Sequence, residues 1–143
     1  MSKLGKLNAP ESVFNDEDDN LMTRILIVDD ETFLLQGLCS ALQSSAAEVK
    51  AVETGGAALR EIGSSAYQLC FLDIFLPDIN GVELLNQMKA ISPETKVIMM
   101  TAGILSTSMQ ECIESNAYMF LTKPFELLQV RMLVKSAVGE AAA

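Results

Sequence analysis

Four short, unbroken apolar runs punctuate this chain, and each stops at a polar side chain capable of chemistry. Ile25–Val28 runs into Asp29 and Asp30, and Leu69–Leu72 runs into Asp73. Val97–Met100 ends at Thr101, and Tyr118–Leu121 leads through Thr122 to Lys123. Continuous runs of this length, rich in Ile, Val and Leu, are what strands look like when helices cover both faces of a parallel sheet. Ligands of such sheets sit in the crevice outside the carboxyl ends of the strands. If the four runs are parallel neighbours, three carboxylates, one hydroxyl and one ammonium share a single pocket.

Between the runs the pattern switches to helical spacing. Glu31 to Ser45 carries a stripe of Phe33, Leu34, Leu35, Leu38, Cys39 and Leu42. A weaker strand follows around Val49–Val52, and its interleaved Lys50 suits a sheet edge. Gly55 to Ile62 reads as a short helix, closed by Gly63-Ser64-Ser65. Pro77-Asp78-Ile79-Asn80-Gly81 punctuates a loop. Val82 to Ile91 is then helical, with Leu84, Leu85, Met88 and Ile91 on one face, until Ser92-Pro93 stops it. Ser106 to Ser115 is a fourth helix, and Phe125 to Val138 a fifth that starts directly after Pro124. Five strand–helix units in succession predict a doubly wound α/β fold with right-handed crossovers: a five-stranded parallel sheet with helices on both faces. The flavodoxin-like strand order 2-1-3-4-5 sets the first and third strands side by side at the centre. Asp29, Asp30 and Asp73 then face each other across the switch point.

The 143 residues suffice for one domain with a proper core. That domain is expected over 22–140, with 1–21 as an acidic, disordered tail and 141–143 as terminal residues. The tail carries Lys3 and Lys6 against Glu11, Asp16, Glu17, Asp18 and Asp19, and its run Asn15–Asn20 is all acid or amide. Such a run favours solvation over packing; an acidic docking arm is the less favoured reading. No apolar stretch approaches the roughly 20 residues that cross a bilayer, and the first residues lack a secretory signal's apolar core. A cytoplasmic chain is therefore expected. Cys39, Cys70 and Cys112 are odd in number and without metal spacing, and each lies in an apolar pattern, so buried reduced thiols are expected. A net charge of −9 argues against nucleic-acid binding, which needs a basic surface. The absence of histidine excludes histidine-based catalysis and a phosphohistidine donor within this chain.

Three clustered carboxylates repel one another. One solution is a shared proton with raised pKa values. The other is a hard divalent cation, and Mg²⁺ favours one or two carboxylates together with water and phosphate oxygens. Such a cation makes a phosphoryl donor tolerable beside three acids, with Lys123 and Thr101 left to contact further phosphoryl oxygens and Asp73 to act as the nucleophile. Taken singly, Asp29 or Asp30 reads more readily as a helix N-cap, Thr101 as an ordinary strand end and Lys123 as a surface lysine. Their joint occurrence at four strand ends is what favours chemistry.

Residues 23 to about 139 resemble a response-regulator receiver domain of bacterial two-component signalling. The resemblance is carried by Ile25-Leu-Ile-Val-Asp29-Asp30-Glu31, Phe71-Leu-Asp73-Ile-Phe-Leu-Pro77-Asp78-Ile-Asn-Gly81, Val97-Ile-Met-Met-Thr101-Ala102 and Phe120-Leu-Thr-Lys123-Pro124-Phe125. These stand in the family's order, with 44, 28 and 22 residues separating Asp29, Asp73, Thr101 and Lys123. The resemblance implies that Asp73 is the phosphoacceptor, that Asp30 and Asp73 are direct Mg²⁺ ligands with the backbone carbonyl of Phe75, and that Asp29 holds a metal-bound water. It further implies Thr101 as the switch hydroxyl, Phe120 as the switch aromatic, Ala102 and Lys123 as the phosphate pocket, and Lys123-Pro124 as a cis peptide.

A family member is a signalling switch more than a metabolic enzyme. It catalyses its own phosphorylation from a histidine kinase or a histidine phosphotransfer protein and often its slow hydrolysis. The readout is expected on the fourth helix, fifth strand and fifth helix, a face that also suits a homodimer, as does the pairing of first and fifth helices. The fifth helix is apolar on more than one side, at Leu127, Leu128, Val130, Met132, Leu133, Val134, Ala137 and Val138. The resemblance also implies that Phe75 and Gly103, each two residues past a motif residue, stand where the family varies and tunes hydrolysis; bulky Phe75 predicts a long-lived phosphoryl state, with a residue that merely covers the loop as the equal alternative. Nothing resembles a helix-turn-helix or other output module, and the chain reads either as a single-domain regulator or as a fragment cut at a linker. The alternatives are a degenerate receiver that only docks proteins and a Mg²⁺-dependent aspartyl-phosphate phosphatase, which would want an acid where Phe75 stands. A flavodoxin-type cofactor binder would want a phosphate loop where Asp29-Asp30-Glu31 stands.

Overall fold

A computed structural model describes residues 22–139, so the expected tail and the last four residues lie outside the described residues. Strands and helices alternate throughout: β1 Thr23–Val28, α1 Thr32–Leu42, β2 Ala47–Val52, α2 Gly55–Ser64, β3 Leu69–Asp73, α3 Gly81–Ile91, β4 Lys96–Thr101, α4 Thr107–Asn116, β5 Met119–Thr122 and α5 Leu127–Val134. The last helix widens into a π-helical turn at Lys135–Gly139. All strand pairs are parallel, in the order β2-β1-β3-β4-β5. This is the expected doubly wound sheet.

The continuous apolar runs are explained by the helices on either side. Leu26, Val28, Cys70, Leu72, Val97 and Met99 point toward α2, α3 and α4, while Ile25, Ile27, Leu69, Phe71, Ile98 and Met100 point toward α1 and α5. β3 is buried along its whole length. β2, with exposed Lys50, and β5 form the two edges.

Register then levels the strand ends. Val28 pairs with Leu72, Asp73 with Met100 and Thr101 with Thr122. Backbone bonds continue the ladder past the strand ends, from Asp29 N to Val52 O (3.1 Å), Ile74 N to Met100 O (3.0 Å) and Lys123 N to Thr101 O (2.7 Å). Asp29, Asp73, Thr101 and Lys123 are thus brought to one end of the sheet.

Several local expectations are corrected. α1 stops at Leu42 rather than Ser45, because Ser44 and Ala47 exchange two backbone bonds in a tight turn and the Gln43 side chain bonds Ala47 and Val49. The same turn starts β2 at Ala47 rather than Val49. α5 starts at Leu127, not Phe125: Glu126 is still extended and Phe125 packs against the core beside α1. Phe33 is no part of the α1 stripe, being 89% exposed; Leu35, Leu38 and Leu42 carry it. Cys70 is buried, but Cys39 and Cys112 are only half-buried. Lys123-Pro124 is cis, as expected.

Candidate functional site

β1 and β3 are adjacent central strands, so their terminal carboxylates meet. One oxygen from each of Asp29, Asp30 and Asp73 lies within 4.8 Å of the others. Their surroundings differ. Asp29 is wholly buried, and both of its oxygens are engaged: Oδ1 accepts from Glu31 N (2.9 Å) and Oδ2 from Lys123 Nζ (2.7 Å). Asp29 therefore does not cap α1; the N-cap position is Glu31, without a side-chain bond. Asp30 is exposed. Asp73 is 5% exposed and, among the described residues, is held at its oxygens only by Phe75 N at 3.4 Å and by the Lys123 ammonium at 3.7 Å.

Electrostatics follow from that inequality. Burial, first, and then the charge of Asp29 push the Asp73 carboxyl up to about 6, although Lys123 and the Phe75 N–H pull the other way; Asp30 adds to the rise. Burial by itself would lower the Lys123 pKa. Hydrogen bonds to Asp29 and Glu31, with the charges of Asp29 and Asp73, outweigh it and leave the ammonium above its ordinary value. One cation thus faces four acids. The site's free ligands are all oxygens and short of positive charge, which fits a hard divalent cation such as Mg²⁺ and not a soft metal.

Two cavities flank the crevice. Glu31, Leu34, Ala102, Lys123, Pro124 and Phe125 line a recess of about 340 Å³. On the other side, Thr101 separates the crevice from a cavity of about 310 Å³ that also touches Leu105, Ile113, Phe120 and Thr122. Thr101 is buried, and its Oγ1 accepts from Gly103 N (3.1 Å); Phe120 is 41% exposed on the outer side. Phe75 lies half-exposed on the rim with its ring against Gly103, where even a methyl group would stand 2.9 Å from Cε2. All of the expected positions therefore gather around one crevice, with Phe120 behind it across the cavity.

Two residues were not singled out from sequence. Asp78, in the loop after β3, accepts from Gly55 N and Gly56 N at 2.9 Å each, which ties the start of α2 to that loop and lowers the carboxyl's pKa. The only hint was an acid in a loop and a Gly-Gly helix start lacking an acid of its own. Glu31 reaches Lys123 at 3.0 Å, although in sequence it is simply the third acid of a run. Gly81 has a steric reason: a Cβ there would stand 2.5 Å from Ile74 Cα and 2.6 Å from Asp73 O, so only glycine lets α3 start so close to the end of β3.

Residues 25–135 match the family profile of the response regulator receiver domain. The chain is 34% identical over 112 residues to the regulatory protein VanRB of Enterococcus faecalis, covering 78% of this chain and 49% of that protein. It is 29% identical over 117 residues to the regulatory protein AtoC of Escherichia coli, covering 82% and 25%. It thus spans half or less of these relatives. Among solved structures, a CheY-like receiver domain protein from Methanospirillum hungatei superposes with a TM-score of 0.77 at 31% identity, covering 83% of this chain and 95% of that one. The BeF3-activated DrrB receiver domain gives 0.73 at 31% identity, covering 82% and 98%. By sequence match across nearly all of the described residues, and by a sheet of the same build, the chain belongs to the response regulator receiver domain family.

Proposed function

We propose that this domain, expected over residues 22–140, accepts a phosphoryl group on Asp73 from the phosphohistidine of a histidine kinase or a histidine phosphotransfer protein, and converts the added charge into a change at α4–β5–α5. The observation that carries the reading is Asp73 itself, a buried carboxylate 3.7 Å from a lysine and within 4.8 Å of two further acids at the mouth of a parallel sheet. A receiver activated by BeF3 among the structural relatives supports it.

An Asp73 oxygen attacks phosphorus, the P–N bond of the donor breaks, and the leaving imidazole keeps the electron pair and takes up a proton. Asp73 must be ionised to attack, and a pKa of about 6 leaves most of it so at pH 7. Asp30, Asp73 and the Phe75 backbone carbonyl would hold Mg²⁺, with Asp29 orienting a water. The ion supplies charge neutralisation for the incoming oxygens. Lys123 takes one of those oxygens, and small Ala102 leaves them room. The Thr101 hydroxyl turns from Gly103 N toward another, which opens its cavity for the Phe120 ring. The domain is a switch in this reading, not a turnover enzyme. It sits in the cytoplasm, binds no nucleic acid itself, and offers α4–β5–α5 or α1 with α5 for a homodimer, where Leu128 and Met132 stand more than 60% exposed.

Incubation with acetyl phosphate and Mg²⁺ tests the assignment. A phosphorylated species should form, should need Mg²⁺, and should be absent from Asp73→Asn. An inert protein would favour a docking module that works without phosphorylation. The Phe75 ring lies half-exposed against Gly103 at the rim, a place from which it would screen the acyl phosphate from water and slow its hydrolysis. Phe75→Asn should shorten the phosphoryl lifetime; an unchanged decay would remove that role from the ring.

A further inference from the structure

Among the described residues, Lys123 has three carboxylate neighbours within 4 Å, and they are not equivalent. Its ammonium donates to Asp29 Oδ2 at 2.7 Å and to Glu31 Oε1 at 3.0 Å, while Asp73 Oδ2 stands off at 3.7 Å. An ammonium has three N–H bonds to give. Two go to acids that the phosphoryl transfer leaves unchanged, and the third spans a gap too long for a hydrogen bond.

Glu31 is the partner that burial does not explain. Its side chain is 61% exposed, against 0% for Asp29, so water would solvate it adequately without Lys123. It also shares the recess that Ala102 and Lys123 line, the space from which an oxyanion would reach the ammonium.

We infer that Glu31 is a resident competitor for Lys123, a carboxylate that occupies the ammonium until an incoming tetrahedral oxyanion displaces it. The inference rests on the proposed roles of Asp73 and Lys123. Of the two acids bonded to the lysine, only Glu31 can be released cheaply. Freeing Asp29 would strand a buried charge, whereas Glu31 swings into water it already touches. Glu31 touches no transferred group; it is a positioning residue that acts through Lys123 and raises the anion concentration needed to load the site. The acid run Asp29-Asp30-Glu31 is thereby divided, its third member opposing the reaction that the first two serve.

Beryllofluoride, a tetrahedral stand-in for the phosphoryl group, provides the test. The full chain is titrated at saturating Mg²⁺ and the bound species followed by fluorine NMR, for wild type, Glu31→Gln, Glu31→Asp and Glu126→Gln. Glu31→Gln should tighten apparent binding about two- to fivefold, the weight of one exposed ion pair. Glu31→Asp, one methylene shorter, should fall between. Glu126→Gln removes the same charge three residues beyond Lys123 from a residue outside its three partners, and should change nothing. Equal or weaker binding by Glu31→Gln overturns the inference, as does an equal gain in Glu126→Gln, which would mean bulk charge. Failure of wild type to bind overturns the phosphoacceptor reading and the inference with it. The Glu31 side chain makes no cap bond to α1, so amide exchange in that helix should be unaltered in every variant; loss of protection in Glu31→Gln would assign the side chain to folding instead.

Discussion

α3 and α4 lie on the same face of the sheet and are almost equal in length, yet they are held very differently. α3 buries Gly81, Leu84, Leu85 and Met88, whereas α4 buries only Ile113. Asn80 caps α3 with a bond of 2.8 Å to Val82 N, and Gly81 N closes on Ile74 O at 2.7 Å, fastening the helix to the strand that carries Asp73. α4 has a longer cap bond, from Met109 N to Ser106 Oγ at 3.2 Å, and borders the 310 Å³ cavity. The central unit β3–α3 is built to keep a carboxylate in place. The peripheral unit of α4 and β5 has one buried side chain in each element, Ile113 and Leu121, and borders a pocket, which is the division expected of a molecule in which one part receives and another reports.

The sharpest test of that contrast is a pair of truncations. Leu84→Ala in α3 should cost about 3 kcal/mol, the usual loss for a buried leucine. Ile113→Ala in α4, beside space that already exists, should cost about 2 kcal/mol, the low end for such changes. Urea titration of both variants measures the difference, and equal losses would remove it.

Asp73 gives the next largest effect, and it depends on pH. Its folded pKa of about 6 lies above the ordinary 3.8, so the folded protein binds the proton more tightly than the unfolded chain does. The resulting stabilisation is complete below about pH 4 and is lost as the pH rises through about 6. Without divalent cations, wild type should therefore lose about 2 kcal/mol relative to Asp73→Asn between pH 4 and pH 7. Thermal melts of both proteins across that range would show it, and parallel curves would mean that β3 does not hold its carboxylate under strain.

The smallest effect compares the two caps. Asn80→Ala and Ser106→Ala should each cost about 1 kcal/mol or less, the former more, with local amide exchange as the finer measure. A larger loss at Ser106 would reverse the ranking of the two helices.

The strand ends were legible because a buried parallel strand admits little but Ile, Val, Leu and their like. A polar residue at its terminus therefore stands out, and register does the rest. Asp29, Asp73, Thr101 and Lys123 could be grouped from that alone. Phe33 could not be placed, since a helical stripe counts apolar residues without knowing how wide a face the sheet will cover. The same limit put Cys39 and Cys112 too deep. The early end of α1 depends on a turn in which Gln43 and Ser44 bond backbone groups across it, and such competition leaves only a weak trace in composition. Asp78 and Glu31 were hidden for a different reason. Each works on a partner far along the chain, Gly55 and Lys123, and no local pattern records a contact of that kind.

The pocket between Thr101 and Phe120 has a consequence for solvent. It is open to water, with Ile104 and Phe120 exposed on its rim, so any packing in which a side chain fills it must expel that water. Cosolutes that are excluded from protein surfaces favour burial of that kind. The pocket lies on one side of the molecule, against α4, so sucrose and similar osmolytes should act on this protein unevenly, favouring closure of the α4 side while leaving the buried acid-bearing strands as they are.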